Sequence, residues 1–356
     1  MFTIGITDHL EGPVDRPSAW IVDEVADLVR HADRLGVTYA WFAEHHAHAH
    51  QGHLPTPLLF ALHLAGQTRS IQLGTAIICL NLHHPLDVAE QVAVSDLLTK
   101  GRMAVGFGSG STPEEATLFG SPTSDDATRQ ARFAEALRII RAAWSGEPDW
   151  PRGGAGETPG FFDVPPHRSL PVPSHDLADR CWVAVNSEGS ARIAGALRFN
   201  MLFSHLRTPQ QYRQYRAAYR KAGGIGLVAA NRPIFVGPDD RTAFALAEPA
   251  LRTLWRRFRS EGKIPADTPE PSDPAGLRGH PINFIVGGPE SVARQLLDLH
   301  REAPFDVANV EVRWAGLSHE LMIESVRRLM EEVVPRLKSE WPSRASAKAG
   351  FRGANS

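Results

Sequence analysis

The chain has 356 residues, of which 42% are hydrophobic and 22% are charged, and its formal net charge is −2. This length suits one large α/β domain or two ordinary ones, and it can bury a sizeable core. Basic and acidic residues are interspersed, so the composition excludes the basic stripe of a nucleic-acid-binding protein and the polybasic arm of a membrane-binding one.

The cysteines and the first residues indicate the compartment. Cys79 and Cys181 lie far apart, each in an apolar run, as is typical of core thiols in a reducing environment. The opening MFTIGI reads as a strand and lacks the basic and apolar regions of a secretory signal. No apolar run approaches the ~18 residues of a membrane span. We therefore expect a cytoplasmic protein.

Short β-rich runs alternate with amphipathic helical runs along most of the chain. The helix predicted at 20–36 ends at Gly36, and the one at 85–101 has proline near its start and glycine at its end. Further helices are predicted at 57–68, 125–146, 190–198, 209–223, 240–259, 288–303 and 318–337. Strands are predicted at 2–6, 38–44, 71–80, 102–108, 181–185, 199–204, 232–237 and 309–314.

Eight apolar strands separated by helices predict a closed parallel (β/α)₈ TIM barrel with its chemistry at the carboxyl ends of the strands. An open doubly wound sheet is the structural alternative. We expect one domain over 1–340, interrupted by proline-rich insertions at about 146–175 and 260–283 that suit lids or binding loops. The tail 341–356 is expected to be disordered.

The stretch WFAEHHAHAH, residues 41–50, ends the second predicted strand. Glu44, His45 and His46 emerge there from an apolar strand and need polar partners or water, so they are candidate site residues. His48 and His50 form a His-x-His pair like that of amidohydrolase barrels, which would favour a metal-dependent hydrolase. That family's further ligands are absent from the fourth, fifth and eighth strands here, so no metal site is predicted.

Two turns could bind a phosphate. GFGSGS, residues 106–111, follows a strand but is not a G-x-G-x-x-G fingerprint, so it is equally a tight turn. In VAVNSEGSAR, residues 183–192, Ser187 and Ser190 lie near the start of a helix, where free N–H groups and hydroxyls can bind an anion. Ordinary N-capping by serine explains that turn equally well. Arg129 or Arg132 could add a cation.

Taken in order, several of these segments resemble the bacterial luciferase-like flavin monooxygenases. The resemblance covers residues 2 to about 337 and implies the same barrel fold. It also implies an enzyme that binds reduced FMN (FMNH₂), usually supplied by a separate NAD(P)H:flavin reductase, and uses O₂ through a flavin C4a-(hydro)peroxide to oxidise a small organic substrate. The matching segments are LGVTYAWFAEHH (35–46), IQLGTAIICLNLHHPLDVAEQ (71–91), DLLTKGRMAVGFGSG (96–110), LFG (118–120), SEGSARIAG (187–195) and VGGPESVARQL (286–296).

The resemblance assigns catalytic roles at the ends of the second and third strands. Glu44 and His45 match the family's Glu-His pair, with His45 as the acid–base beside the flavin, and His84 matches a second histidine near the ring. Ala76 and Ile77 match a pair that often has a non-prolyl cis peptide under the isoalloxazine.

The resemblance also assigns the phosphate contacts. Gly108 stands where luciferase has a reactive cysteine, and Ser109 replaces an arginine that contacts the phosphate, so Arg129 would supply the charge. The phosphate-binding turn after the fifth strand is matched by Asn186, Ser187 and Ser190.

The resemblance also concerns the second insertion. The insertion 260–283 falls near the family's mobile lid.

Three alternatives to the FMNH₂-dependent monooxygenase stay open. They are a coenzyme F420-dependent oxidoreductase on the same fold, a non-catalytic flavoprotein subunit and the metal-dependent hydrolase. Light emission is not predicted, and the substrate is not identified. Family dimers use helices near the start of the chain, so 57–68 and 85–100 are the candidate homodimer interface.

Overall fold

The computed structural model describes residues 3–13, 15–47, 53–110, 112–121, 125–145, 160–164, 170–174, 177–277 and 279–341. Within them, strands alternate with helices as the sequence predicts. The strands are β1 (Thr3–Asp8), β2 (Tyr39–Phe42), β3 (Gln72–Cys79), β4 (Met103–Gly108), β5 (Cys181–Val185), β6 (Asn200–Phe203), β7 (Val228–Val236), β8 (Ile285–Gly287) and β9 (Val307–Glu311).

Eleven α-helices lie within the described residues, and a π-helical turn at Leu329–Val333 joins the last two. Several begin at a serine, threonine or aspartate whose side chain accepts a hydrogen bond from the first turn. The helices are α1 (Ser18–Arg34), α2 (Pro57–Ala65), α3 (Pro85–Leu98), α4 (Pro113–Leu118), α5 (Asp126–Ser145), α6 (Glu188–Leu197), α7 (Pro209–Lys221), α8 (Asp240–Ser260), α9 (Pro289–Glu302), α10 (His319–Arg328) and α11 (Val334–Glu340).

Eight of the strands form a closed parallel barrel. Their order is β6-β5-β4-β3-β2-β1-β9-β7, and pairing of β6 with β7 closes the ring. Every pair is parallel, so all carboxyl ends lie at one rim. The predicted (β/α)₈ barrel is therefore confirmed, and the open-sheet alternative is wrong.

The structure corrects the prediction mainly in the last third of the chain. β7 begins at Val228 rather than 232, because the small residues before Arg232 give little strand signal yet pair with β6 and β9. The short β8 was not predicted, and it pairs only with Ile234–Val236 of β7, outside the ring. Helix α4 was also missed, because six residues are too few to show helical periodicity.

Aromatic side chains fill the barrel interior. Trp41 of β2 lies 5.5 Å from Trp182 of β5, measured between ring centroids. Since β2 and β5 are not neighbours in the sheet, this contact crosses the barrel. Trp41 Nε1 also donates to Asn309 Oδ1 of β9 at 3.0 Å. The packed interior leaves the rim as the place for a binding site.

Several sequence predictions fall largely outside the described residues. These are the insertion at about 146–175, most of the tail 341–356, and His48 and His50. Within the part of the chain that the structure describes, no helix combines the length and apolar character needed to cross a membrane. The single-domain boundary and the cytoplasmic location stay predictions.

Candidate active site

A buried carboxylate lies at the carboxyl end of β2. The side chain of Glu44 is held by His83 Nε2 at 2.7 Å and His46 Nε2 at 2.8 Å, both on Oε1. The backbone N–H of Cys79, at the end of β3, donates to Oε2 at 3.1 Å. Glu44 is only 3% exposed, so these donors replace the water that its charge would otherwise need.

These contacts determine the charge states of Glu44 and His83. Burial by itself would raise the pKa of Glu44, but the hydrogen bonds from His83 and His46 outweigh it and hold the pKa below the usual value. Burial likewise opposes charge on His83, but the Glu44 carboxylate raises the pKa of that imidazole. Glu44 is therefore ionised, and His83 is stabilised as a cation.

His45 points away from Glu44 and toward β1. Its Nε2 lies 3.3 Å from Nδ1 of His9, the residue after β1. Its Nδ1 faces the buried Glu115 of α4, with 3.9 Å between Nδ1 and Oε1. Glu115 also accepts a hydrogen bond from the backbone N–H of His46 at 2.8 Å, which ties α4 to the end of β2.

A second buried carboxylate, Glu311, ends β9. Its Oε1 lies 3.8 Å from His9 Nε2, and its Oε2 lies 3.1 Å from Nδ1 of the buried His205, which follows β6. Burial would raise the pKa of Glu311, but His205, His9 and Arg257 lower it to about 2. Glu311 therefore carries a permanent negative charge at the rim.

Glu44, His46 and His83 also have the residue types of a metal site. One donor atom from each lies within 4.8 Å of the others. Two imidazoles and a carboxylate form a known zinc ligand set. Here Glu44 Oε1 already accepts hydrogen bonds from both imidazoles, so the three side chains satisfy one another without an ion.

The predicted cis peptide bond is present near the end of β3. The peptide bond between Ala76 and Ile77 is cis, as expected. Gly108 of β4 packs directly against Ile77, since a Cβ built on Gly108 would lie 2.3 Å from Ile77 Cδ1. A larger residue at 108 would therefore displace Ile77.

The predicted phosphate ligands after β4 contact neighbouring side chains. Ser109 Oγ accepts from Gln130 Nε2 at 3.2 Å, and its carbonyl accepts from Asn81. Arg129 forms an ion pair with Asp126 on the same helix. Arg132, which is not among the assigned ligands, stacks over the Phe162 ring at 4.2 Å, and its Nε is buried without a partner among the described residues.

The turn after β5 is ordered by reciprocal capping. Ser187 Oγ accepts from the backbone N–H of Ser190 at 3.2 Å, and the hydroxyl of Ser190 accepts from the backbone N–H groups of Asn186 and Ser187. Asn186 is exposed, with its Oδ1 3.4 Å from Arg207 Nε. The turn thus places side-chain polar groups and the N-terminus of α6 at the rim.

His84 does not contact Glu44, although its neighbour His83 does. His84 is exposed and packs edge to face on Phe162, with 5.7 Å between ring centroids. It lines a cavity of about 380 Å³ together with Arg132 and Phe119. A 3₁₀ turn at Leu80–Leu82 precedes the pair and directs His83, not His84, to Glu44.

Sequence reasoning did not identify His9, His83, Glu115 or Glu311 as site residues. His83 and His9 carried a signal, since each is a histidine shortly after a predicted strand. Glu115 could have been found from the capping-box pattern that begins at Thr112. Glu311 lay inside a predicted strand and had no local signal.

Comparison with known proteins agrees with this architecture. A family model described as luciferase-like monooxygenase matches residues 4–306. The oxygenase component of the flavin-dependent trigonelline monooxygenase from Acinetobacter baylyi is 28% identical over 187 residues, which cover 52% of this chain and 49% of the relative. The F420-dependent glucose-6-phosphate dehydrogenase from Beutenbergia cavernae is 34% identical over 147 residues, 40% of each chain.

A solved structure matches over nearly the whole length. It is the oxygenating constituent of 3,6-diketocamphane monooxygenase from Pseudomonas putida, a type II Baeyer–Villiger monooxygenase in complex with FMN. The TM-score is 0.74 at 22% identity, covering 94% of this chain and 98% of the other. At this identity, the likeness establishes the fold alone.

The Glu44–His83 pair predicts a pH-dependent stability. The lowered pKa of Glu44 stabilises the fold above its ordinary value of 4.5, and this is lost as pH falls through the folded-state pKa. The raised pKa of His83 stabilises the fold below 6.5, and this is lost as pH rises through the folded-state pKa. We expect Glu44→Gln to lower the free energy of unfolding by about 2 kcal/mol between the two ordinary pKa values, 4.5 and 6.5, and by less at lower and higher pH.

Urea unfolding of both proteins from pH 4 to 9 measures this difference. His84→Gln is the matched control, because it removes the neighbouring exposed histidine and should leave the pH profile unchanged. A stability difference between wild type and Glu44→Gln that stays constant across the range would contradict the assigned charges.

Proposed function

Because this chain belongs to the luciferase-like monooxygenase family, we propose that it is an FMNH₂-dependent monooxygenase of a small organic substrate. The observation that carries the proposal is the rim itself. It presents an ionised Glu44 held by His46 and His83, beside a partly exposed His45. Bound FMNH₂ would activate O₂ for insertion of one oxygen atom into the substrate.

The chain's own residues fit roles around such a cofactor. Glu44 fixes a negative charge, and His45, with its imidazole 25% exposed, can hold or give up a proton. His84 remains a proposed catalytic residue from the family resemblance, in the adjacent cavity. The proposed cofactor contacts are the Ala76–Ile77 and Gly108 surface, Ser109 and Arg129 after β4, and the turn of Asn186, Ser187 and Ser190.

We also propose that a separate NAD(P)H:flavin reductase supplies the FMNH₂. Support comes from the trigonelline enzyme, whose matching chain is named an oxygenase component. The second candidate function is an F420-dependent oxidoreductase, favoured by the similarity to the F420-dependent dehydrogenase. The two functions differ in the cofactor and in the use of oxygen.

Anaerobic titration of the full chain with FMNH₂, and in parallel with reduced F420, tests the cofactor. We expect saturable binding of FMNH₂ and, after O₂ is admitted in a stopped-flow spectrometer, a transient absorbance that precedes oxidised flavin. Binding of reduced F420 alone would replace the proposal by the second candidate. If metal analysis of the same sample found a stoichiometric ion, a hydrolase with that ion at Glu44 would be favoured.

The turn after β5 gives a prediction about the phosphate. Aspartate and asparagine are both good N-caps, so Ser187→Asp and Ser187→Asn should each preserve α6. Only aspartate adds a negative charge beside a bound phosphate. We expect Ser187→Asp to raise the Kd for FMNH₂ at least about tenfold, or 1.4 kcal/mol, with little change for Ser187→Asn. Equal affinities would show that the phosphate binds elsewhere.

A homodimer through α2 and α3 is also proposed. These helices expose Leu59 at 65% and Leu98 at 62%, and a mainly apolar cavity of about 550 Å³ lies between them. We expect light scattering to give about twice the 39.0 kDa chain mass, and Leu59→Glu to give the monomer. Ile225→Glu, at a residue 67% exposed after α7, is the control. A monomeric wild type would refute the proposal.

A further inference from the structure

The histidine after β1 forms a pair with the histidine after β2. His9 Nδ1 and His45 Nε2 are 3.3 Å apart, which is within hydrogen-bond reach. One proton must lie between these nitrogens, because two bare lone pairs would repel each other. Both side chains are partly buried, at 21% and 25% exposure, so water satisfies them only in part.

The outer nitrogen of each ring faces a carboxylate. His9 Nε2 lies 3.8 Å from Glu311 Oε1, and His45 Nδ1 lies 3.9 Å from Glu115 Oε1. A bare lone pair facing a carboxylate is unfavourable, whereas an N–H facing it is favourable. Both outer nitrogens should therefore carry protons. Together with the proton between the rings, this makes three protons on two imidazoles.

We infer that His9 and His45 share one proton as an imidazole–imidazolium pair of charge +1, held between Glu115 and Glu311, and that His9 is a positioning residue for His45. This inference deepens the proposed function, because His45 is the acid–base residue there. When His45 gives its Nδ1 proton to the reacting group, the shared proton settles on His45 Nε2. Each ring then keeps one proton, and the pair becomes neutral.

Other charged groups near the pair, among the residues that the structure describes, are consistent with this state. Asp8 faces His9 from the end of β1; its burial raises its pKa to about 6, against the opposing charge of Arg313. The other oxygen of Glu311 faces His205, and Arg257 of α8 adds a positive charge near that carboxylate. The low pKa of Glu311 keeps its charge in place while the pair exchanges its proton.

Nitrogen NMR of the full chain without flavin, labelled with ¹⁵N-histidine, tests the pair directly. In the wild type we expect His9 Nε2 and His45 Nδ1 to resonate as protonated nitrogens. His9 Nδ1 and His45 Nε2 should have shifts intermediate between protonated and bare. In His9→Phe, His45 should become a neutral ring with its proton on Nδ1, facing Glu115, and a bare Nε2.

Two further variants keep the test decisive. If His9→Phe does not fold, His9→Asn replaces it, because asparagine is too short to reach His45 Nε2. We expect His45 in His9→Asn to show the shifts described for His9→Phe. His63→Phe, which removes an exposed histidine on α2, should change neither ring. Two ordinary neutral rings in the wild type, or identical His45 shifts with and without His9, would overturn the inference.

Turnover provides a separate readout. We expect His9→Phe to lower kcat about tenfold or more, with the KM for FMNH₂ within about twofold. An unchanged kcat would overturn the positioning role. A wild type that does not oxygenate with FMNH₂ would refute the proposed function instead, and the NMR shifts of the flavin-free protein would still report the shared proton.

Discussion

The arrangement of the rim depends on the cost of burying two carboxylates. Glu44 and Glu311 are each only 3% exposed, and an unpaired charge so buried would cost several kcal/mol. Each therefore has its own positive or polar partners: His46, His83 and the Cys79 N–H for Glu44, and chiefly His205 for Glu311. The histidines at the rim are thus structural partners as well as chemical candidates.

Closure of the barrel decides which side chains meet. β1 lies between β2 and β9 in the sheet, and its Thr7 is in register with Glu311. His9, two residues further on, therefore stands between His45 and Glu311. His205 reaches Glu311 from β6, because only β7 separates β6 from β9 in the closed ring.

The sequence predicted the barrel, because strand and helix periodicities are local properties that tertiary packing did not override. It also predicted the polar end of β2, because an ionisable trio interrupts an apolar strand. It did not predict Glu311, which joins the site only through the register of β1 with β9. The choice between His83 and His84 depended on a three-residue 3₁₀ turn that periodicity does not reveal. Arg129 stays a proposed phosphate contact, and its neighbour Asp126 pairs with it in the structure.

Glu44 and His45 are adjacent in the chain but face opposite neighbours. Glu44 turns toward β3, where Cys79 and His83 hold it, and His45 turns toward β1, where it meets His9. The lowered pKa of Glu44 keeps that carboxylate ionised near neutral pH, so Glu44 cannot serve as the proton donor. In the proposed function, proton exchange therefore falls to the imidazole of His45, which is partly exposed and whose ring nitrogens both face groups able to stabilise a proton. Under that proposal, one dipeptide at the end of one strand supplies both a fixed charge and a mobile proton.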